Sequence, residues 1–125
     1  MNIIISNSSG KPIYEQIVEK FQMLILKEIL PSGSQMPSVR SLAVELSINP
    51  NTIQKAYATL EQQGYIYPIK GRGNFVAEST ELKEQKKEAF SEKMRELVRE
   101  GIELEISKKE CLDVFENCWK EEKSS

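Results

Sequence analysis

Residues 36–76 read MPSVRSLAVELSINPNTIQKAYATLEQQGYIYPIKGRGNFV, and the punctuation of this stretch decides the fold. Ser38, directly after Pro37, is placed to cap a helix that the spacing of Val39, Leu42, Ala43 and Leu46 carries to about Leu46. Pro50 has no amide hydrogen and disfavours a helical Asn49 before it, so the first helix has ended there. The same pair opens a second helix, because Asn is a good cap and proline is tolerated in a first turn. That helix runs to about Gln63, with Ile53, Ala56, Tyr57 and Leu60 as its buried stripe and Gly64 at the left-handed position beyond its end. Asn51, Thr52, Gln54, Lys55 and Thr59 lie on its outward face. Tyr65, Ile66 and Tyr67 form a β-prone run, and Asn74, Phe75 and Val76 a second. Between them Lys70, Gly71, Arg72 and Gly73 supply glycines for positive φ and cations for a hairpin tip. The order of elements predicts a winged helix-turn-helix, mainly α with a small β-wing.

The flanking sequence is read outward from this motif. Ile3, Ile4 and Ile5 predict a short strand or an extended arm, and Asn7, Ser8, Ser9 and Gly10 a loop. Pro12 opens a helix ending near Leu30, with Ile13, Ile17, Phe21, Leu24 and Ile25 inward; Pro31, Ser32, Gly33 and Ser34 stop it. This helix gives the two-helix motif the support it lacks. From Glu81 to about Leu104 there is no proline, and Leu82, Ala89, Phe90, Met94, Leu97, Val98 and Ile102 mark one face of a helix, weakened locally by Gly101. Such a helix is about 36 Å long. Ser107 and Glu110 form a capping box for a last helix through about Trp119, with Cys111, Leu112, Val114, Phe115, Cys118 and Trp119 as its apolar set. Two amphipathic helices without an enclosing third layer bury their stripes most economically against a twofold copy. The expected division is a winged helix-turn-helix DNA-binding domain at 1–78 and a two-helix dimerisation tail at 79–125. Leu82, Phe90, Met94, Leu97, Val98, Ile102, Leu112, Phe115 and Trp119 are the expected dimerisation residues.

Composition narrows the function. The chain has 125 residues, a net charge of −2, two Cys and no His. Lack of His removes the usual metal ligand, the general base of a Ser or Cys triad and a pH switch near neutrality. No apolar run approaches membrane-spanning length. With two Cys and no signal peptide, the reading is a reducing cytoplasm and no membrane. Residues 1–78 carry seven basic and six acidic side chains, and residues 79–125 ten and thirteen, so the negative balance falls in the tail. Affinity for a polyanion would then come from a few placed cations and a dimer. Cys111 and Cys118 are seven apart, on one face of the last helix, and read as thiols buried in the dimer core; no further ligands are spaced for a metal. Tyr57, Tyr65 and Tyr67 read as packing residues.

Several stretches together resemble the GntR family of bacterial transcription regulators: Pro37, Ser38, Val39 and Arg40; Asn49 to Thr52; Lys55, Ala56 and Tyr57; Leu60 and Glu61; Gly64, Tyr65 and Ile66; and Gly71 to Val76. The opening Pro12, Ile13, Tyr14, Glu15, Gln16 and Ile17, with the short helical tail, is similar to its YtrA subfamily. The resemblance covers about residues 10–78 strongly, and the tail by length and pattern. It implies DNA contacts by the Arg after the Pro-Ser segment, by the first turn of the recognition helix and by the wing tip. On this chain these are Ser38, Arg40, Asn49, Pro50, Asn51, Thr52, Gln54, Lys55, Lys70, Gly71, Arg72 and Gly73. Some subfamilies carry Arg where this chain has Pro50 and again where it has Gln54, so their base preferences do not transfer.

Three classes of function compete. A protein-interaction winged helix would show an apolar outer face on its second helix, and here that face is amide, hydroxyl and ammonium. An enzyme would need a pocket with clustered acids or a base. The preferred reading is a homodimeric, sequence-specific transcription regulator, expected to repress. It would bind a double-stranded operator with an inverted repeat through recognition helix 50–63 and wing 65–76, with no cofactor. About 45 residues follow the wing, too few to enclose a sizeable metabolite pocket in one subunit. That leaves the dimer interface, or the junction of tail and DNA-binding domain, for an unidentified small-molecule effector.

Overall fold

The structure is a computed structural model and describes residues 3–125. In chain order the elements are α1 (Ile13–Leu26), α2 (Val39–Leu46), α3 (Pro50–Gln62), β1 (Ile66–Ile69), β2 (Gly73–Val76), α4 (Thr80–Glu103) and α5 (Lys108–Ser124). The chain divides after Glu84 into two compact units.

The first unit is built on α1 and α3. Ile17, Phe21 and Ile25 of α1 meet Ile53, Ala56, Tyr57 and Leu60 of α3, all buried, with Leu42 and Ala43 of α2 completing the layer. The ring edge of one aromatic meets the face of the other at Phe21 and Tyr57, centroids 5.8 Å apart at 87°. Both helix starts form as the sequence predicts. The Ser38 hydroxyl accepts from the Ser41 N–H at 3.1 Å, and the Asn49 Oδ1 from the Asn51 N–H at 2.8 Å, with Pro50 in the first turn. Each cap satisfies an amide that has no partner within its helix.

Four helices end in the same way. After α1, α2, α3 and α4 one residue turns to positive φ, at Glu28, Ser47, Gly64 and Glu105. The next N–H reaches back five residues: Ile29 to Leu24, Ile48 to Ala43, Tyr65 to Leu60 and Ile106 to Gly101, at 2.9–3.0 Å. This is the Schellman closure, which pairs the last carbonyls of a helix. It corrects the expected end of α1, which stops at Leu26 and not near Leu30 because Glu28 takes the left-handed turn.

β1 and β2 pair antiparallel with Ile66 opposite Val76 and Ile69 opposite Gly73. Tyr67 and Phe75, directly opposite each other, stack with centroids 6.1 Å apart. The segment before α2 adds a third edge, where the sequence predicts only a helix stop. Gly33 N–H donates to the Val76 carbonyl, Val76 N–H to that of Ser34 and Met36 N–H to that of Asn74, each at 2.8 Å. The isoleucine run is an extended arm without strand pairing, with Ile3 buried. Gln16 holds the arm: its Oε1 accepts from the Ser6 N–H at 2.8 Å, and its Nε2 donates to the Ser6 carbonyl at 2.8 Å.

In the second unit Ser107 caps α5 by accepting from the Glu110 N–H at 3.1 Å. Helix α5 continues to Ser124, past the expected end near Trp119, because Lys120, Glu121, Glu122 and Lys123 are good helix formers with no Gly or Pro among them. At Gly101 a Cβ would stand 3.5 Å from the Cys111 Sγ, so the two helices come close there.

Candidate nucleic-acid interface

The buried stripe of α3 fixes what the helix presents outward. With Ile53, Ala56, Tyr57 and Leu60 inside, Asn51, Gln54 and Lys55 stand exposed and Thr52 is half-buried. Thr59 is half-buried too, and its hydroxyl donates within the helix to the Lys55 carbonyl at 2.9 Å. Lys55 does not hang free. Its Nζ lies 4.0 Å from the centroid of the Tyr14 ring on α1. That is a cation–π contact, about 0.5–1 kcal/mol at an exposed site, and weak enough to yield to a phosphate.

Two groups lie at the start of α2. The Ser38 hydroxyl serves as cap, and Arg40 is exposed in the first turn of the helix. A buried tyrosine fixes this start against α3. Tyr57 Oη donates to the Pro37 carbonyl at 2.7 Å, and burial pushes its phenol pKa well above the ordinary value. Tyr57 and Tyr65 are packing residues, as read from the sequence; Tyr67 is 41% exposed and stacked on Phe75.

The wing tip carries the remaining cations. Arg72 N–H donates to the Ile69 carbonyl at 2.9 Å, closing the turn over Lys70 and Gly71. Gly71 and Gly73 have φ of +78° and +101°, the values for which glycine is suited. Lys70 and Arg72 are exposed. Among the described residues Arg40, Lys70 and Arg72 form no ion pair. One contributor does not follow from the sequence: Gln35, whose Nε2 donates to the Arg72 carbonyl at 2.7 Å. Its only sequence signal is its place just before Met36 and Pro37, which does not reveal a partner 37 residues away.

All of these groups belong to the first unit. The expected dimerisation residues divide otherwise. Leu82 is 8% exposed within the core of the first unit, so it is not part of an open stripe. Phe90, Leu97, Val98, Ile102, Leu112, Phe115 and Trp119 are exposed in the second unit, and Met94 is half-buried. Phe90, Met94, Phe115, Cys118 and Trp119 line an open groove of about 500 Å³ between α4 and α5. Cys111 and Cys118 are free and, in the single chain, exposed. Among the described residues no cluster of His, Cys, Asp or Glu could hold a metal ion, and no helix is long and apolar enough to cross a membrane.

Comparison with known proteins places this arrangement. Residues 13–76 match the family described as bacterial regulatory proteins, gntR family. The chain is 41% identical over 109 residues to the HTH-type transcriptional repressor YtrA of Bacillus subtilis (strain 168), covering 82% of this chain and 84% of that protein. A GntR family transcriptional regulator from Listeria monocytogenes superposes with a TM-score of 0.71 at 33% identity, covering 88% of this chain and 97% of that one. The DNA-binding domain of AraR, solved in complex with an operator, superposes with a TM-score of 0.52 at 26% identity over 62% of this chain and 93% of that one. The family match from α1 through the wing agrees with a winged helix-turn-helix built from local caps and turns: the chain belongs to the GntR family of DNA-binding transcription regulators.

Proposed function

We propose that this protein is a cytoplasmic, homodimeric repressor that binds an inverted-repeat operator through α3 and the wing. One observation carries the reading: the buried side of α3 is apolar, its opposite side offers Asn51, Gln54 and Lys55 to solvent, and the same unit exposes Arg40, Lys70 and Arg72, which form no ion pair among the described residues. Amides and hydroxyls on the first turns of a recognition helix can pair with base edges in a major groove. Asn51, Thr52 and Gln54 take that role. Arg40, Lys55, Lys70 and Arg72, with the tip glycines Gly71 and Gly73, approach phosphates, and Ser38, Asn49 and Pro50 set the helix starts close to the backbone of the duplex. In this reading the DNA-binding unit extends beyond residue 78 into the first turn of α4, since Leu82 is buried in its core, and the chain beyond Glu84 dimerises. YtrA of Bacillus subtilis is called a repressor, and AraR was solved on an operator, which supports both the sign and the ligand.

A twofold dimer should read half-sites one helical turn or a multiple apart, about 34–36 Å per turn. Binding-site selection from random duplexes tests the assignment. The wild type should return an inverted repeat, and Gln54→Ala should change the preferred base at one position per half-site, worth about 1–3 kcal/mol of discrimination. An identical motif from both proteins would remove Gln54 from the base-reading set.

A further inference from the structure

The wing tip of this protein is held from outside the wing. The segment before α2 runs antiparallel to β2, and Gln35 stands opposite Phe75. Side chains on one face of a strand recur every second residue, so the face that carries Phe75 carries position 73 as well. Position 73 is glycine, and a Cβ there would stand 3.4 Å from Gln35 Nε2. The Gln35 amide lies over the strand at this position, where a Cβ would only touch it, and donates to the Arg72 carbonyl at 2.7 Å. The N–H of Arg72 is already committed to the Ile69 carbonyl at 2.9 Å. Both polar groups of the Arg72 backbone are therefore fixed, in a tip whose glycines would otherwise leave it free to turn.

We propose that Gln35 is a positioning residue for Arg72: it sets the pose in which the wing presents this guanidinium to a phosphate. The inference rests on the reading of the wing as a DNA contact. A held cation gives up less conformational freedom on binding than a loose one, so removing the strut should cost affinity through Arg72 and through nothing else.

The test is a double-mutant cycle on the full chain, with operator affinity measured across a range of salt. Gln35→Met keeps the length of the side chain and removes the donor. Arg72→Ala removes the cation and keeps the carbonyl. Arg72→Ala should lower the slope of log affinity against log salt by about 0.9 for each phosphate it leaves without a cation. Gln35→Met should weaken binding by roughly threefold to tenfold and move the slope the same way, with an unchanged unfolding midpoint. In the Arg72→Ala background Gln35→Met should have no further effect. Amide exchange at Gly73, the peptide whose carbonyl side Gln35 holds, should quicken in Gln35→Met. Gln35→Glu, isosteric but unable to donate when ionised, should weaken binding at least as much. If Arg72→Ala changes neither affinity nor slope, Arg72 is off the DNA and the proposal falls with its reading as a DNA contact. If Arg72→Ala behaves as expected but Gln35→Met is silent, or costs the same in both backgrounds, the wing reading stands and the role of Gln35 is overturned.

Discussion

Ser47 turns the chain between α2 and α3 at φ +55°, a conformation in which an L side chain crowds the backbone. The Schellman closure over-determines it: Ile48 N–H is committed to the Ala43 carbonyl at 2.9 Å. Glycine would relieve the crowding at the cost of greater freedom in the unfolded chain. The first effect is larger, so Ser47→Gly should stabilise by about 0.5–1 kcal/mol, seen as a rise of roughly 2–8 °C in Tm for a domain of this size. A fall in Tm would show that the serine side chain contributes more than the strain costs. Glu78 offers a second residue-level test. Its carboxylate accepts from the Thr80 hydroxyl at 2.7 Å and the Thr80 N–H at 3.0 Å, and these bonds hold its pKa below the ordinary value of 4.5. A lowered folded pKa means stability that is present above the unfolded value and lost as pH falls through the folded one. An NMR titration should place the Glu78 midpoint below 4.5, and Glu78→Gln should flatten that part of the acid limb at the start of α4.

Among the elements, those fixed by neighbouring residues were legible and those fixed by distant ones were not. The starts of α2 and α3 could be read from Ser38 and from Asn49 with Pro50, since a cap acts within three residues. Gly64, Gly71 and Gly73 marked turns for the same reason. The end of α1 gave no such sign, because Glu28 does there what glycine does after α3. Nor did the third edge at Gly33 to Met36, which depends on β2, far along the chain. At the interface, the outward face of α3 followed from its own periodicity. That Lys55 rests on Tyr14 and that Gln35 holds Arg72 required the packing of separate elements. The cap of α3 also carries a prediction, because Asn49 is both cap and proposed DNA neighbour. Asn49→Ala should cost about 1 kcal/mol of stability and Asn49→Ser much less, since serine keeps a capping oxygen. Denaturant melts give the stabilities and operator titrations the affinities. If Asn49→Ser is stable yet binds the operator several-fold more weakly, Asn49 touches the DNA; full affinity would confine it to capping.

At the scale of the whole molecule, charge and uncovered apolar surface decide how binding is achieved. The first 78 residues are nearly neutral, with seven basic and six acidic side chains, so a single DNA-binding unit has little general attraction for a duplex. In the proposed dimer, two units on one operator would multiply weak half-site affinities, a gain of roughly 10²–10⁴ through effective concentration. The second unit has the surface to join them. Phe90, Leu97, Val98 and Ile102 of α4 are 56–70% exposed, and Phe115 and Trp119 of α5 are 43% and 57% exposed. Full burial of such a side chain is worth about 1.5–3 kcal/mol. Four from each of two copies would then offset the roughly 4–15 kcal/mol that association costs in lost freedom. Placing a charge in that surface should abolish the proposed dimer without touching the first unit, because Leu97 and Val98 lie outside it. The double variant Leu97→Glu, Val98→Glu should sediment as a monomer at micromolar concentration and lose at least about 10²-fold in operator affinity. Its retained far-UV signal and its residual binding to a single half-site would show that the first unit is intact. Truncation should be made after Glu84 and not after Glu78, since Ser79 and Leu82 are buried in the first unit and their removal would open its core. A wild-type chain that is already monomeric at micromolar concentration, or a double variant that still dimerises, would show that this apolar face serves some other purpose.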